Sequence, residues 1–294
     1  MNGEKSVLLI GSKGQLGQEV SRLVDPATRL TAVDIDELDI TRKEETIQFI
    51  KSINPNVIIN AAAYTAVDKA EDEEETAFRV NAEAPGYIAQ ASLQTHAHLI
   101  HISTDFVFDG ATNSPYKPSD HTHPLGVYGR SKLAGEEKVL SASGGSSVIV
   151  RTAWLYSIYG NNFVKTMLRL MKDRESIGVV ADQVGTPTHA RGLAEVVCQL
   201  AARKDLSGIF HWTDAGVASW YDFAVAIQIV GLELGFLDEA IPILPLTTEE
   251  YPTPAKRPAY SVLDKTKTWR SLQIKGTHWQ KALHEMMREL QQFQ

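Results

Sequence analysis

The chain has one cysteine, Cys198, in 294 residues. A lone thiol excludes an intrachain disulfide and a thiolate-built metal site. No apolar run approaches the ~18 residues of a membrane-spanning helix. The first apolar stretch, Val7 to Ile10, follows a polar start from Met1 to Ser6 and is too short for a secretory leader. Excess positive charge is missing as well: the net charge is -7. That argues against nucleic acid or an anionic membrane as the main partner, although a local pocket can still hold an anionic ligand. There are no internal repeats and no low-complexity segments. What remains is an ordinary soluble composition, 43% hydrophobic and 22% charged, which argues against disorder over most of the chain. The length suits one large domain or two smaller ones. A cytoplasmic location is the default expectation.

Short apolar runs alternate with helical patterns in the first half. Val7–Ile10, Leu30–Val33, Val57–Ile59, Leu99–Ile102 and Ser147–Val150 read as strands. Gln15–Leu23, Arg42–Ser52, Asp68–Leu93 and Tyr128–Leu140 read as helices, the third broken or kinked near Pro85. Such alternation means an α/β fold with a parallel sheet covered on both faces. In the second half, helical patterns fall at Asn162–Lys172, Arg191–Ala202, Tyr221–Leu232 and Trp279–Gln292, around a proline-rich piece from Ile241 to Pro258. This half reads as a smaller domain over the carboxyl edge of the sheet. The acidic run Glu71–Glu75 reads as a solvated first helical turn, where carboxylates favour the positive dipole end.

Gly11, Gly14 and Gly17 directly follow the first strand and open a helix. Such glycines allow a tight turn, close approach of backbone to a pyrophosphate, and close helix–strand packing. The free N–H groups of the helix end then meet the phosphate. The second strand ends in Asp34, whose carboxylate can accept from ribose hydroxyls and would repel a 2′-phosphate. NADH is therefore favoured over NADPH, with Lys13 and Arg42 placed to offset the repulsion. Asp39 suits either a helix N-cap region or an adenine contact.

Tyr128 and Lys132 are spaced i, i+4, on one face of a helix. A phenol of pKa ~10 needs its charged form stabilised to act near neutrality, and a neighbouring ammonium does that. Ser103 and Thr104 end the fourth strand, where a hydroxyl can polarise a carbonyl and hydrogen-bond the tyrosine. Glycine loop, strand-end hydroxyl and Tyr–Lys pair together point to a nicotinamide-dependent reductase.

These segments resemble the extended short-chain dehydrogenase/reductases, and within them the dTDP-4-dehydrorhamnose reductase family. The resemblance rests on Gly14–Gly17, Asn60–Asp68, Ser103–Asp105 with Val107 and Phe108, and Pro124–Glu136. It continues through Arg151–Tyr156, Gly160–Phe163, Asp182–Pro187 and Tyr251–Pro258, nearly the whole chain. It implies a Rossmann-type doubly wound sheet in residues 1–155, with about 188–215 returning to it, and a substrate-binding domain in most of 156–294. It implies NADH or NADPH as cofactor and reduction of the 4-keto group of dTDP-4-dehydro-L-rhamnose to dTDP-L-rhamnose. Tyr128 would be the proton donor, with Lys132 and Thr104 beside it. Besides the three glycines, cofactor contacts would fall at Gln15, Leu16, Asp34, Asp39, Ile40, Ala63, Tyr64, Thr65, Ile102, Tyr128 and Lys132. Thr104, Asp105 and Trp154 would face the sugar nucleotide. Asn162 and Arg257 lie in matching segments and suit substrate contact or the surface equally.

Three departures from the family pattern stand out. Phe106 replaces a frequent tyrosine and Ala153 a usual serine. Some members resemble dimers linked by Mg2+ on glutamates; Glu19 fits one such place, but Arg191 stands where another acid is expected, which puts the Mg2+ site in doubt and leaves a homodimer open. Two rival readings differ in class. One is an epimerase or reductase of another nucleotide sugar, which tightly retained NAD would favour for the epimerase. The other is a non-catalytic cofactor-binding regulatory subunit, which has no need of Thr104, Tyr128 and Lys132 together.

Overall fold

Residues 5–293 are described by the computed structural model; the polar start at residues 1–4 lies outside the described residues. The chain begins β1 (Ser6–Ile10), α1 (Gln15–Leu23), β2 (Arg29–Val33), α2 (Lys43–Ile53) and β3 (Val57–Asn60). It continues α3 (Val67–Ala70), α4 (Glu74–Phe78), a π-turn (Arg79–Glu83), α5 (Ala84–Thr95), β4 (His98–Thr104), α6 (Val127–Ala142) and β5 (Val148–Thr152). The second half runs β6 (Leu155–Tyr156), α7 (Phe163–Asp173), β7 (Ile177–Val180), β8 (Val184–Gly185), β9 (Thr188–His189), α8 (Ala190–Ala201) and β10 (Gly208–His211). It ends with β11 (Ala218–Ser219), α9 (Trp220–Glu233), β12 (Ile243–Leu246), α10 (Thr266–Leu272) and α11 (Trp279–Gln292).

Alternation along each strand decides what lies on either side of the sheet. Leu8 and Ile10 of β1 pack with Ile47 and Ile50 of α2, Ile88 of α5 and Val139 of α6. Leu9, between them, packs on the opposite side with Leu16 and Val20 of α1 and Leu193 and Val197 of α8. Leu8, Leu9 and Ile58 are wholly buried, and each such side chain contributes about 1.5–3 kcal/mol of transfer free energy. The sheet has six strands in the order β10-β5-β4-β3-β1-β2, every neighbouring pair parallel. From β1 the chain steps outward to β2, then crosses back to β3. This reversal opens a crevice at the carboxyl ends of β1 and β3, the place where a doubly wound Rossmann-type sheet receives ligands. A separate apolar cluster joins Tyr156, Val164 and Leu168 of α7, Phe223 and Ile227 of α9, and Leu283 and Met287 of α11.

The helical stretch expected from Asp68 to Leu93, broken or kinked near Pro85, is four pieces. A turn at Glu71–Glu73 separates α3 from α4, and the π-turn precedes Pro85. Proline has no N–H to give the carbonyl four residues back, that of Asn81, so the helix widens there. Gly135 of α6 sits against that carbonyl, where any Cβ would collide with it. The acidic run is also not simply a solvated turn. Glu74 and Glu75 do occupy the first turn of α4. But Glu71 Oε1 accepts from the Val127 N–H at 2.8 Å, the Tyr64 hydroxyl donates to Glu73 at 2.9 Å, and Arg130 donates to Glu74 at 3.1 Å. Among these, Glu71 supplies an acceptor to the N-terminus of α6, which has no side-chain cap of its own. Glu71→Ala is expected to cost roughly 0.5–2 kcal/mol, the range for loss of a helix cap. Glu75→Ala, at an exposed position, should stay within ~0.5 kcal/mol. Urea denaturation of both variants measures the difference; equal stabilities would mean that Glu71 does not cap α6.

Candidate active site

The crevice holds a cleft of about 700 Å³ that runs from the loop after β1 to the ends of β4 and β5. At one end, Gly11 has φ +83°, and a Cβ there would lie 2.6 Å from the Ala62 nitrogen. A side chain on Gly17 would run into the Gly11 carbonyl. Gly14 has no such conflict, its Cβ position standing 3.4 Å from the same carbonyl, so its bareness serves the open side of the loop. The N-terminus of α1 points its unpaired N–H groups into this cradle, with no side-chain cap on Gly14. Asp34 braces the loop: its Oδ2 accepts from the Lys13 N–H and its Oδ1 from the Ile35 N–H, both at 2.8 Å. Lys13 Nζ is taken by Asp36 at 2.5 Å, and Arg42 by Asp39 and Glu45. Asp39 accepts from the Thr41 N–H and hydroxyl, and the Thr41 hydroxyl holds its carboxyl below the usual range. Asp39 therefore builds the turn before α2 and lines the cleft as well. A bare anion-receiving helix end beside an acidic ribose-height side chain fits a pyrophosphate-bridged dinucleotide.

At the other end, α6 presents Tyr128 and Lys132. The Lys132 ammonium is 2% exposed and donates to the Ile102 carbonyl at 2.6 Å. Burial brings its pKa down to about 8, opposed by the charge of Glu136. Tyr128 is pushed up to about 12, chiefly by burial; the Thr104 hydroxyl facing it works downward and Asp105 upward. The group that works to lower it is thus the Thr104 hydroxyl, while the Lys132 ammonium is given to the Ile102 carbonyl. Thr104 Oγ1 accepts from the Phe106 N–H at 3.2 Å and donates to Asp105 Oδ1 at 3.1 Å. Asp105 is 2% exposed, and burial raises its pKa to about 6, against the Ser261 and Thr104 hydroxyls, which favour its charged form. Ser103, the alternative hydroxyl at this strand end, turns its Oγ to Glu136 instead. The Phe106 ring meets Tyr128 edge-on at 5.5 Å.

Trp154 closes the cleft wall with φ +46°, a conformation rare for a bulky side chain. Its indole stacks on Trp220 at 3.6 Å and lies so close to Gly185 that a Cβ there would meet it at 2.8 Å. Backbone strain of this kind persists where the surroundings over-determine it and gathers at ligand sites.

Nearly all the residues singled out in the sequence meet at this cleft. Gly11, Gly14, Gln15, Leu16, Gly17, Asp34, Asp39, Ile40, Ala63, Thr65, Ile102, Thr104, Asp105, Tyr128, Lys132 and Trp154 all line it. Tyr64 does not; its phenol turns to Glu73 and its backbone N–H to Asn81. Asn162 caps α7 and donates to Gln15 at 3.0 Å, and Arg257 is held by Asp68 at 2.8 Å, both outside the lining. Val80, Thr152 and Gly160 line the cleft without having been singled out. Val80 sits on the π-turn.

The residues do not fit a Mg2+ ion. Glu19 is wholly buried and shares its Oε2 with Arg191 at 3.3 Å and Arg22 at 3.4 Å. The same two arginines each reach Glu289 at 2.8 Å. Two guanidiniums already neutralise the two carboxylates, and no group of three metal-ligating side chains converges among the described residues.

The chain is similar to known proteins over nearly its whole length. The family described as RmlD substrate binding domain matches residues 5–292. A dTDP-4-dehydrorhamnose reductase of Aggregatibacter actinomycetemcomitans is 45% identical over 94% of this chain and 96% of its own length. A crystal structure of a dTDP-4-dehydrorhamnose reductase from Clostridium acetobutylicum superposes with a TM-score of 0.91 at 41% identity, over 97% of this chain and 99% of that one. The Bacillus anthracis dTDP-4-dehydrorhamnose reductase, solved in complex with NADP, gives the same TM-score at 36% identity and the same coverage of both chains. The chain belongs to the dTDP-4-dehydrorhamnose reductase family.

Proposed function

We propose that the chain reduces the 4-keto group of dTDP-4-dehydro-L-rhamnose to give dTDP-L-rhamnose, using NADH or NADPH. The observation that carries this reading is one cleft with a pyrophosphate cradle at one end and Tyr128, Thr104 and Lys132 at the other. Its volume, about 700 Å³, is in the range of small-molecule sites. The sheet with its helices, residues up to 155 and about 188–215, is read as the cofactor domain, and most of 156–294 as the substrate domain. The reading also takes the cytoplasm as location.

When bound, the reduced nicotinamide supplies the hydride to sugar C4. Tyr128 gives its phenolic proton to the forming alkoxide. A pKa near 12 keeps that proton in place at neutral pH, which suits a donor in the reductive direction. The Thr104 hydroxyl, which donates to Asp105 in the free protein, turns that proton to the keto oxygen when substrate binds and so aligns it toward Tyr128. The Lys132 ammonium stabilises the phenolate left behind and binds the nicotinamide ribose. Trp154 and Asp105 face the sugar nucleotide.

The assay that tests the reading is consumption of NADH or NADPH, followed by absorbance, against a panel of nucleotide-linked 4-keto-sugars. No turnover with the thymidine-linked sugar, alongside turnover of another, would overturn the substrate assignment. Tyr128→Phe should keep the fold and cofactor binding and lose about 10²–10⁴-fold in kcat; a variant turning over near the wild-type rate would remove Tyr128 from the proton-donor role. Asp34→Asn keeps an acceptor for the Lys13 N–H while deleting the charge. It should raise the kcat/KM ratio of NADPH to NADH, and an unchanged ratio would place Asp34 away from the ribose 2′ position. The profile of kcat/KM against pH should fall as pH rises through about 8, where Lys132 loses its proton. In Lys132→Met that limb should move up, toward the titration of Tyr128 itself, and KM for the cofactor should rise. Superimposable profiles of the two proteins would defeat the pairing of Lys132 with Tyr128.

A further inference from the structure

The face of α6 that carries Tyr128 and Lys132 continues one turn further to Glu136. Glu136 lies behind the cleft wall and is 2% exposed, as is Arg151. Its Oε1 accepts from Ser103 Oγ at 2.5 Å and from Arg151 Nε at 2.8 Å; its Oε2 accepts from Arg151 Nη2 at 2.6 Å. Ser103 and Arg151 are register neighbours on β4 and β5. Ser103 also sits between the two β4 residues that the site uses. On one side is Ile102, whose carbonyl holds the Lys132 ammonium; on the other is Thr104, whose hydroxyl faces Tyr128. One buried carboxylate therefore ties α6 to β4 and β5 at the level of the reacting groups.

A buried ion pair is weak evidence of stabilisation, because desolvation offsets much of the Coulombic gain and apolar residues of like volume often serve a fold as well. What an apolar pair would lack is charge, and the functional group within its reach is Lys132. Glu136 supports the protonated form of Lys132 against burial, and Arg151, bonded to both of its oxygens, offsets part of that negative charge. The other titratable groups around Lys132 are Tyr128 on its own helix and His101 on β4, which burial and Lys132 keep neutral. Asp105, at the turn after β4, acts on Tyr128. From the π-turn side comes the neutral Asn81, bonded to Ser131, while Glu83 is taken by Lys138 near the surface.

We propose that Glu136 is a positioning residue for the reduction: clamped by Arg151 and Ser103, its carboxylate keeps Lys132 protonated and aimed at the Ile102 carbonyl and the cofactor ribose. The proposal rests on the reductase reading above. Two single-charge deletions separate it from a merely structural role. Glu136→Gln leaves Arg151 uncompensated, so the basic limb of the kcat/KM profile moves to lower pH by roughly one unit. Arg151→Met leaves Glu136 uncompensated, so the limb moves to higher pH. Glu136→Asp keeps the charge on a shorter arm, leaving the limb in place and lowering kcat/KM. Affinity for the reduced cofactor alone, followed by its fluorescence across the same pH range, should move in the same two directions and requires no sugar. Shifts of the same sign in the Gln and Met variants, or no shift in either, overturn the proposal. Should a single variant not fold, the double variant Glu136→Gln/Arg151→Met carries the test: the limb falls and cofactor affinity weakens, whereas wild-type behaviour in both overturns it. A wild-type protein that neither binds the reduced cofactor nor consumes it defeats the reductase reading instead.

Discussion

An ammonium group held out of water is the constraint around which this site is organised. Lys132 has no solvent to carry its charge, so a backbone carbonyl must, and that of Ile102 does at 2.6 Å. For that carbonyl to be in reach, β4 has to run on to Thr104 beside α6, and α6 has to lie close against the chain before it. Gly135 and the π-turn permit the close packing, because a side chain on the glycine would strike the Asn81 carbonyl. The phenol then takes its place one helical turn from the ammonium. The geometry of the reacting groups thus follows from where one buried charge can be tolerated.

The electrostatics favour one protonation state of the site. Burial holds the proton on Tyr128 and loosens the proton on Lys132, so in the free protein the acid is loaded, and the groups moved toward neutrality are Lys132 and Asp105. This is the arrangement a reductive proton donor needs. It differs from the expectation drawn from the i, i+4 spacing, in which the ammonium sets the phenol. The spacing does place the two groups on one face of α6, but distance along a helix carries no information on how much water each group keeps.

Other features divide in the same way between local and long-range causes. Leu8, Leu9 and Ile10 announce a strand buried on both faces, and the helix from Gln15 to Leu23 is legible from its periodicity and the glycines before it. Gly11, Asp34, Thr104, Tyr128 and Lys132 are legible because their chemistry is tied to strand ends and helix starts. Glu71 reads as solvated in the sequence because its partner, the Val127 N–H, is remote along the chain. The same holds for Glu136 with Arg151 and for Trp154 with Trp220: neither residue of a pair signals the other. The π-turn is legible only as a kink, since Pro85 tells where a helix is disturbed but not into what shape.

The order of strands also bears on how the chain reaches its native state. The edge strand β10 and the helix α8 come from the second half of the sequence, yet both belong to the central sheet. As the chain leaves the ribosome, the side of the sheet bearing Leu9, Ile59, Ile100 and Val150 has only α1 to shelter it until α8 has been made. Nascent chains of this length of delay present apolar surface to chaperones and to one another, and the non-local pairing of β10 with β5 adds to a slow, high-contact-order search.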